Sequence, residues 1–276
     1  MAFFHGDIYS YALDKMTPLN VYLPCDDNRR FLVARPQKTL ILLHGLEGNS
    51  SYWGRYTSAE RYAQQYNLAL IMPEAEMSMY SNMRCGQNYA SYIGEELPEI
   101  LRNMFKLNLD RDSLSIAGLS MGGYGALRMG LSHPQTFGKC ASFSGALMLG
   151  SREYMEKMKS YKDPGRKGGY VEEEEIERSL YHGSLAAYGE DFAYRPEDDL
   201  LYLAEAAVKE RLELPKMLLT CGTEDFLLEP NRIYSQKLDA MGIEHRFETW
   251  PGVHNWQFWE ECIRDYIGFF ADDENI

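Results

Sequence analysis

Apolar positions along this chain switch repeatedly between two rhythms, and the switches mark the elements. Residues 39–43, Thr-Leu-Ile-Leu-Leu, and 68–72, Leu-Ala-Leu-Ile-Met, are almost unbroken apolar runs of strand length. Alternation would mark a strand with one wet face, whereas an unbroken run marks a strand covered on both faces of a sheet. Residues 140–143 and 216–221 read the same way, and 245–250 reads as a last strand. Between them lie segments of helical character at 58–66, 89–105, 199–212, 230–240 and 256–270. In the last of these the apolar residues Trp256, Trp259, Ile263, Ile267 and Phe270 recur at three- and four-residue steps. Pro98 requires a helix to start or kink near Glu95. At the front, Tyr9, Tyr11 and Leu13, then Leu19, Val21 and Leu23, form two alternating runs around Met16-Thr17-Pro18 and predict an antiparallel pair turning there.

Strands alternating with helices predict the α/β class: a mainly parallel central sheet, helices on both faces, and functional groups at the carboxyl ends of the strands. Residues 148–195 break the rhythm with charged side chains, an acidic run at 172–175 and glycines at 165, 168 and 169. They are expected to form a lid-like insertion over the active-site edge of a single domain spanning 1–276. The acidic run suits a solvated face or the first turn of a helix, which its charge would favour.

The chemistry centres on residues 113–130, SLSIAGLSMGGYGALRMG. An alternating run reaches Ser120 between Gly118 and Gly122, and an Ala/Leu/Met-rich helical segment follows. Gly-x-Ser-x-Gly between a strand and a helix is a nucleophile elbow, in which the glycines remove the Cβ atoms that would obstruct a strained apex. The helix N-terminus and the N–H of Met121 can then stabilise negative charge on an attacked carbonyl.

A serine hydroxyl is a weak nucleophile at neutral pH, so it needs a base and the base needs an orienting carboxylate. Of the histidines, His254 follows the last strand and opens the last helix, the position a base requires. His5, His44, His133, His182 and His245 are read as structural. The carboxylate should also follow a strand, and Gly-Thr-Glu-Asp at 222–225 offers both Glu224 and Asp225. The second oxyanion amide is assigned to Leu46, in the His-Gly-Leu sequence that ends the strand at 39–43. Met77, Met79, Tyr80, Met83 and Met148 are candidates for an adaptable substrate pocket.

Composition narrows the partners. The 276 residues carry a formal charge of −13, which disfavours nucleic acid and anionic membranes. No run reaches the ~20 apolar residues of a membrane span, and MAFFHGDIYS lacks the features of a signal peptide, so a cytoplasmic location is expected. Cys25, Cys85, Cys140, Cys221 and Cys262 are odd in number and scattered, which indicates neither a disulfide framework nor a metal site.

The segments HGLEGN, AGLSMGGYGALR, ASFSGAL, CGTEDFL and GVHNWQFW resemble the signatures of the tributyrin-esterase group of α/β-hydrolases. That group is related to esterase D (S-formylglutathione hydrolase) and to acetyl xylan and feruloyl esterases. The resemblance runs from about residue 10 to 270 and implies an α/β-hydrolase fold and a metal- and cofactor-independent serine esterase of short acyl chains. It implies Ser120, Asp225 and His254 as catalytic triad, Asp225 being preferred over Glu224 on this ground, with Leu46 and Met121 as oxyanion hole. The expected partner is a small-molecule ester, and a homo-oligomer is compatible with the chain. S-formylglutathione, for which Cys85 would gain interest, and acylated xylan are the alternative substrates. A non-enzymatic binding protein is the competing class, and suitable residue types at all three strand ends argue against it.

Overall fold

The computed structural model describes residues 1–25, 38–163, 165 and 172–272. Strands β1 (Ala2–Ser10), β2 (Lys15–Leu23), β3 (Lys38–Leu43), β4 (Leu68–Pro73), β5 (Leu114–Leu119), β6 (Lys139–Phe143), β7 (Lys216–Gly222) and β8 (Arg246–Trp250) form one sheet. Its order is β1-β2-β4-β3-β5-β6-β7-β8; β1, β2 and β4 pair antiparallel, and every pairing from β4 to β8 is parallel.

Helices α1 (Tyr52–Tyr56) and α2 (Ala59–Gln65) connect β3 to β4. Helix α3 (Tyr89–Ser91) passes through a π-helical turn (Tyr92–Glu96) into α4 (Leu97–Phe105). Pro98 follows directly on the π-helical turn, and this widened turn is where the continuous helix takes up the N–H that proline lacks. Helix α5 (Met121–Ser132) follows β5, and α6 (Arg152–Ser160), α7 (Glu172–Tyr188) and α8 (Leu200–Glu210) lie between β6 and β7. Helix α9 (Leu228–Ala240) precedes β8 and α10 (Trp256–Phe270) closes the chain.

The unbroken apolar runs have the expected cause. Ile41, Leu43 and Ile116 point into one core with α4, α5, α8 and α9, while Leu40, Leu42, Ala117 and Leu119 point into the other with α1, α2 and α10. Burying each such leucine or isoleucine contributes about 1.5–3 kcal/mol.

The opening hairpin departs from expectation. Its turn lies at 11–14, and Met16, Thr17 and Pro18 are inside β2, with Pro18 opposite Asp7. Pairing of β2 with β4 starts at Leu19, and Pro18 contributes only its carbonyl, which accepts from Glu74 N at 3.3 Å, so the missing N–H disturbs neither neighbour. The short helix α1 was not foreseen, and α9 begins two residues before Pro230.

The end of the 148–195 segment is fastened to the body by a buried network that no periodicity signals. Asp198, fully buried, accepts from Ser81 Oγ at 2.7 Å, from Arg128 Nε at 3.1 Å and from Arg195 Nε at 2.6 Å. Its backbone carbonyl accepts from Tyr124 Oη at 2.6 Å. Two guanidinium groups thus neutralise one buried carboxylate and join α5, the 74–88 loop and the segment before α8.

Candidate active site

Strand β5 delivers Ser120 into the left-handed region of backbone space, φ 54° and ψ −119°. Such a conformation costs a non-glycine residue about 1–3 kcal/mol. The surroundings impose it: Ser120 N donates to Phe143 O at 3.0 Å, and Ala146 N donates to Ser120 O at 3.0 Å. The two flanking glycines are required by close approach. A Cβ at Gly118 would lie 2.3 Å from Gly122 O, and one at Gly122 would lie 2.5 Å from Leu43 O.

Ser120 Oγ lies 3.0 Å from His254 Nε2, and His254 Nδ1 lies 2.9 Å from Asp225 Oδ2. Because a carboxylate only accepts, Nδ1–H is the donor and Nε2 presents its lone pair to the hydroxyl. Asp225 is buried and its Oδ1 accepts from Leu227 N at 2.8 Å, which fixes the carboxylate plane. The imidazole is held between rings, with Phe226 at 4.7 Å and Trp259 edge-on at 4.9 Å between centroids.

Glu224, the other acidic candidate, points elsewhere. Its side chain accepts from Gly252 N at 2.7 Å and its own N–H donates to Gly252 O at 3.0 Å, so it staples the loop that carries His254. The hydrogen bonds from Gly252 N and Thr223 hold its carboxyl below the usual range. Beside Asp225, burial and then the Asp225 charge push the Cys221 thiol up to about 12, which leaves it protonated.

The loop after β3 packs directly on the elbow: a Cβ at Gly45 would come 2.6 Å from Leu119 Cδ1 and 3.4 Å from Ser120 Cβ. Leu46 and Met121 both line the cavity beside this contact. Met121 opens α5, so its N–H has no carbonyl one turn back. Under the loop, buried His44 sets Nδ1 2.8 Å from Gly45 O, and its Nε2 lies 3.0 Å from Ala75 N and 3.2 Å from Glu74 Oε1. Burial opposes ionisation of Glu74, but the hydrogen bond and charge of His44, with backbone N–H groups of Ser50 and Glu76, bring its carboxyl down to about 2.

The cavity beside Ser120 Oγ measures about 190 Å³ and is mostly apolar, lined by Tyr52, Met148, Ile176, Leu180, Phe226, Trp256 and Trp259 among others. Of the pocket candidates only Met148 lines it. Met79 is fully buried with its Cε 2.6 Å from where a Cβ would stand on Gly183, so it supports α7 from below. Met77 also lies against Gly183 and is partly exposed, and Met83 packs on Gly86. Tyr80 is fully buried and donates from Oη to His44 O at 2.8 Å. These residues sit one layer behind the site because the 74–88 loop turns under the loop after β3 rather than over it. Ile176 and Leu180 come from α7, whose register against the cavity no local signal announces, and Trp256 and Trp259 carried only the signal of a core-facing helix stripe. Cys85 is exposed and outside the cavity lining.

A mostly parallel sheet of this order, with a strained serine after β5 and a histidine and carboxylate in hydrogen-bond series, defines a serine hydrolase of the α/β-hydrolase class. The sequence matches the family model described as "Putative esterase" over residues 10–269, and the chain belongs to that family. It is 30% identical over 268 residues to an acetyl esterase of Caldicellulosiruptor saccharolyticus, covering 95% of this chain and 96% of the relative. Among solved structures it is similar to FphF, a fluorophosphonate-binding serine hydrolase of Staphylococcus aureus, at 30% identity and TM-score 0.79 over 99% of both chains. It is also similar to the S-formylglutathione hydrolase FrmB of the same organism, at 30% identity and TM-score 0.77 over 98% of this chain and 99% of that one. Among the described residues no helix is long and apolar enough to cross a membrane.

Proposed function

We propose that this esterase cleaves esters of short acyl chains, with Ser120 as nucleophile, His254 as general base and acid, and Asp225 orienting the imidazole. Ser120 Oγ attacks the ester carbonyl as its proton passes to His254 Nε2, and the Leu46 and Met121 amides accept the oxyanion. His254 then protonates the leaving alcohol and activates the water that clears the acyl-enzyme. Oligomeric partners are not needed for these steps; a small-molecule ester is the partner, in a cytoplasmic setting that suits five free cysteines.

The observation that carries the reading is the series Asp225, His254, Ser120 at 2.9 and 3.0 Å, ending in the mostly apolar cavity. At ~30 Å³ per water-sized group, about 190 Å³ holds roughly six such groups. That suits acetyl to butyryl. Helix α7, the described helix of the 148–195 segment that reaches the cavity, is read as its cover, since Ile176 and Leu180 form one of its walls. Likeness to FrmB favours S-formylglutathione as a second substrate, its formyl group being smaller still.

A p-nitrophenyl ester series from acetate to octanoate tests the acyl preference: kcat/KM is expected to fall beyond butyrate, and a flat profile refutes it. Ser120→Ala is expected to keep the fold by circular dichroism while losing hydrolysis and fluorophosphonate labelling. Retained hydrolysis overturns the assignment.

A further inference from the structure

The outer strand of the sheet is unusual for an edge. Strand β1 pairs with β2 over nine consecutive positions without a bulge, and among the described residues no strand pairs with its other side. It contains no Lys, Arg or Pro, the residues that ordinarily blunt an edge. Phe3 and Phe4 are about half exposed, at 53% and 50%, as is Tyr9, at 47%. A long, flat, aromatic edge of this kind is a template for another strand.

Its sequence says which strand. Around Gly6 the residues read Phe3-Phe4-His5, Gly6, Asp7-Ile8-Tyr9. In an antiparallel pair centred on Gly6, residues equidistant from that glycine stand opposite each other on the same face. His5 then meets Asp7 of the second copy, Phe4 meets Ile8 and Phe3 meets Tyr9, and each contact occurs twice. Imidazole against carboxylate and aromatic against apolar or aromatic side chains therefore fall together in this register, whereas a shift by one residue moves each side chain to the other face. Asn20 Nδ2 donates to Ser50 O, so Asn20 Oδ1 accepts from His5 Nδ1 at 2.7 Å, and Nε2 is left at the far side of the ring.

We propose that the protein forms a two-fold dimer through antiparallel pairing of β1 with β1 of a second copy, Gly6 opposite Gly6, joining two sheets into one. The three half-exposed aromatics have about 100 Å² each left to bury. With the strand backbone and the remaining side chains, the total reaches about 1,000 Å², the lower range of stable interfaces. The active sites lie at the strand ends far along the sheet, so the inference is independent of the ester cleaved.

The test has two arms. By sedimentation velocity across a concentration series the wild type is expected to be dimeric with a micromolar dissociation constant. His5→Asp sets two carboxylates opposite each other twice and is expected to weaken the dimer at least tenfold, and adding Asp7→Lys is expected to restore it. In the second arm, Gly6→Cys is accommodated because a Cβ at Gly6 meets nothing within 4 Å. Directly opposed residues have Cα atoms about 4.5–5.5 Å apart, within disulfide range. Mild oxidation of Gly6→Cys is expected to give a covalent dimer, while Phe4→Cys and the wild type, which carries exposed Cys85, do not. A wild type monomeric at all concentrations overturns the proposal. A dimer indifferent to His5→Asp, or one that Phe4→Cys crosslinks as readily as Gly6→Cys, overturns it too. Esterase activity reports folding in every variant.

Discussion

Tyr80→Phe deletes one oxygen that touches no substrate, and the structure says what it should cost. The Tyr80 hydroxyl is the donor to His44 O at 2.8 Å in a fully buried setting. Burial, then the Glu74 charge, hold the phenol well above its usual range, so it remains a donor at every working pH. Its loss leaves a buried carbonyl without this partner, a penalty of about 1–3 kcal/mol. At about 2–4 °C per kcal/mol for domains of comparable size, Tm should fall by roughly 3–10 °C. The same carbonyl belongs to the loop that presents the Leu46 amide. Complete loss of an oxyanion donor typically costs ~100- to 1,000-fold in kcat. A donor displaced but still present should cost less, and about tenfold in kcat with KM nearly unchanged is the expected value. The assay is p-nitrophenyl acetate hydrolysis beside a thermal melt. A lowered Tm with unchanged kcat would show Tyr80 to be ordinary core and refute its role in positioning the loop.

Asp225→Asn is expected to lower kcat by about 10³–10⁴ through the wrong histidine tautomer, whereas Glu224→Gln should lower it only a few-fold by loosening the Gly252 staple; similar losses in both would reopen the assignment of the acid. Glu74 is a carboxyl whose pKa falls on folding from 4.5 to about 2, so the stability it contributes is present above pH 4.5 and lost as pH falls from there toward 2. At about 1.4 kcal/mol per pH unit this amounts to at most ~3.5 kcal/mol, and Glu74→Gln should flatten that part of the Tm-against-pH curve. Asp198→Asn leaves Arg128 and Arg195 without their shared counter-charge and should destabilise by about 3–5 kcal/mol in urea titration, because Arg128 is buried; a change under 1 kcal/mol would show the network to be dispensable.

Several features were decided by local physics and were therefore legible along the chain. An unbroken apolar run must be covered on both faces, which placed β3 and β4 in the sheet interior. Gly118 and Gly122 allow a strained Ser120, and that requirement is written in five consecutive residues. The proposed acid and base both follow strands, 216–221 and 245–250, because parallel strands end at one edge.

What the sequence could not decide depends on which layers meet. The acid could have been Glu224 or Asp225 by position, and only the fold shows one aimed at His254 and the other at Gly252. Tyr80 and Met79 resemble pocket residues in sequence, yet their loop passes beneath the loop after β3, a path set by packing against α7 and His44. Leu180 reaches the cavity, and Asp198 the interior, through contacts between residues distant in the chain. Periodicity reports which face of an element is buried; the neighbour that buries it is chosen by tertiary packing, and there the cavity acquires its walls.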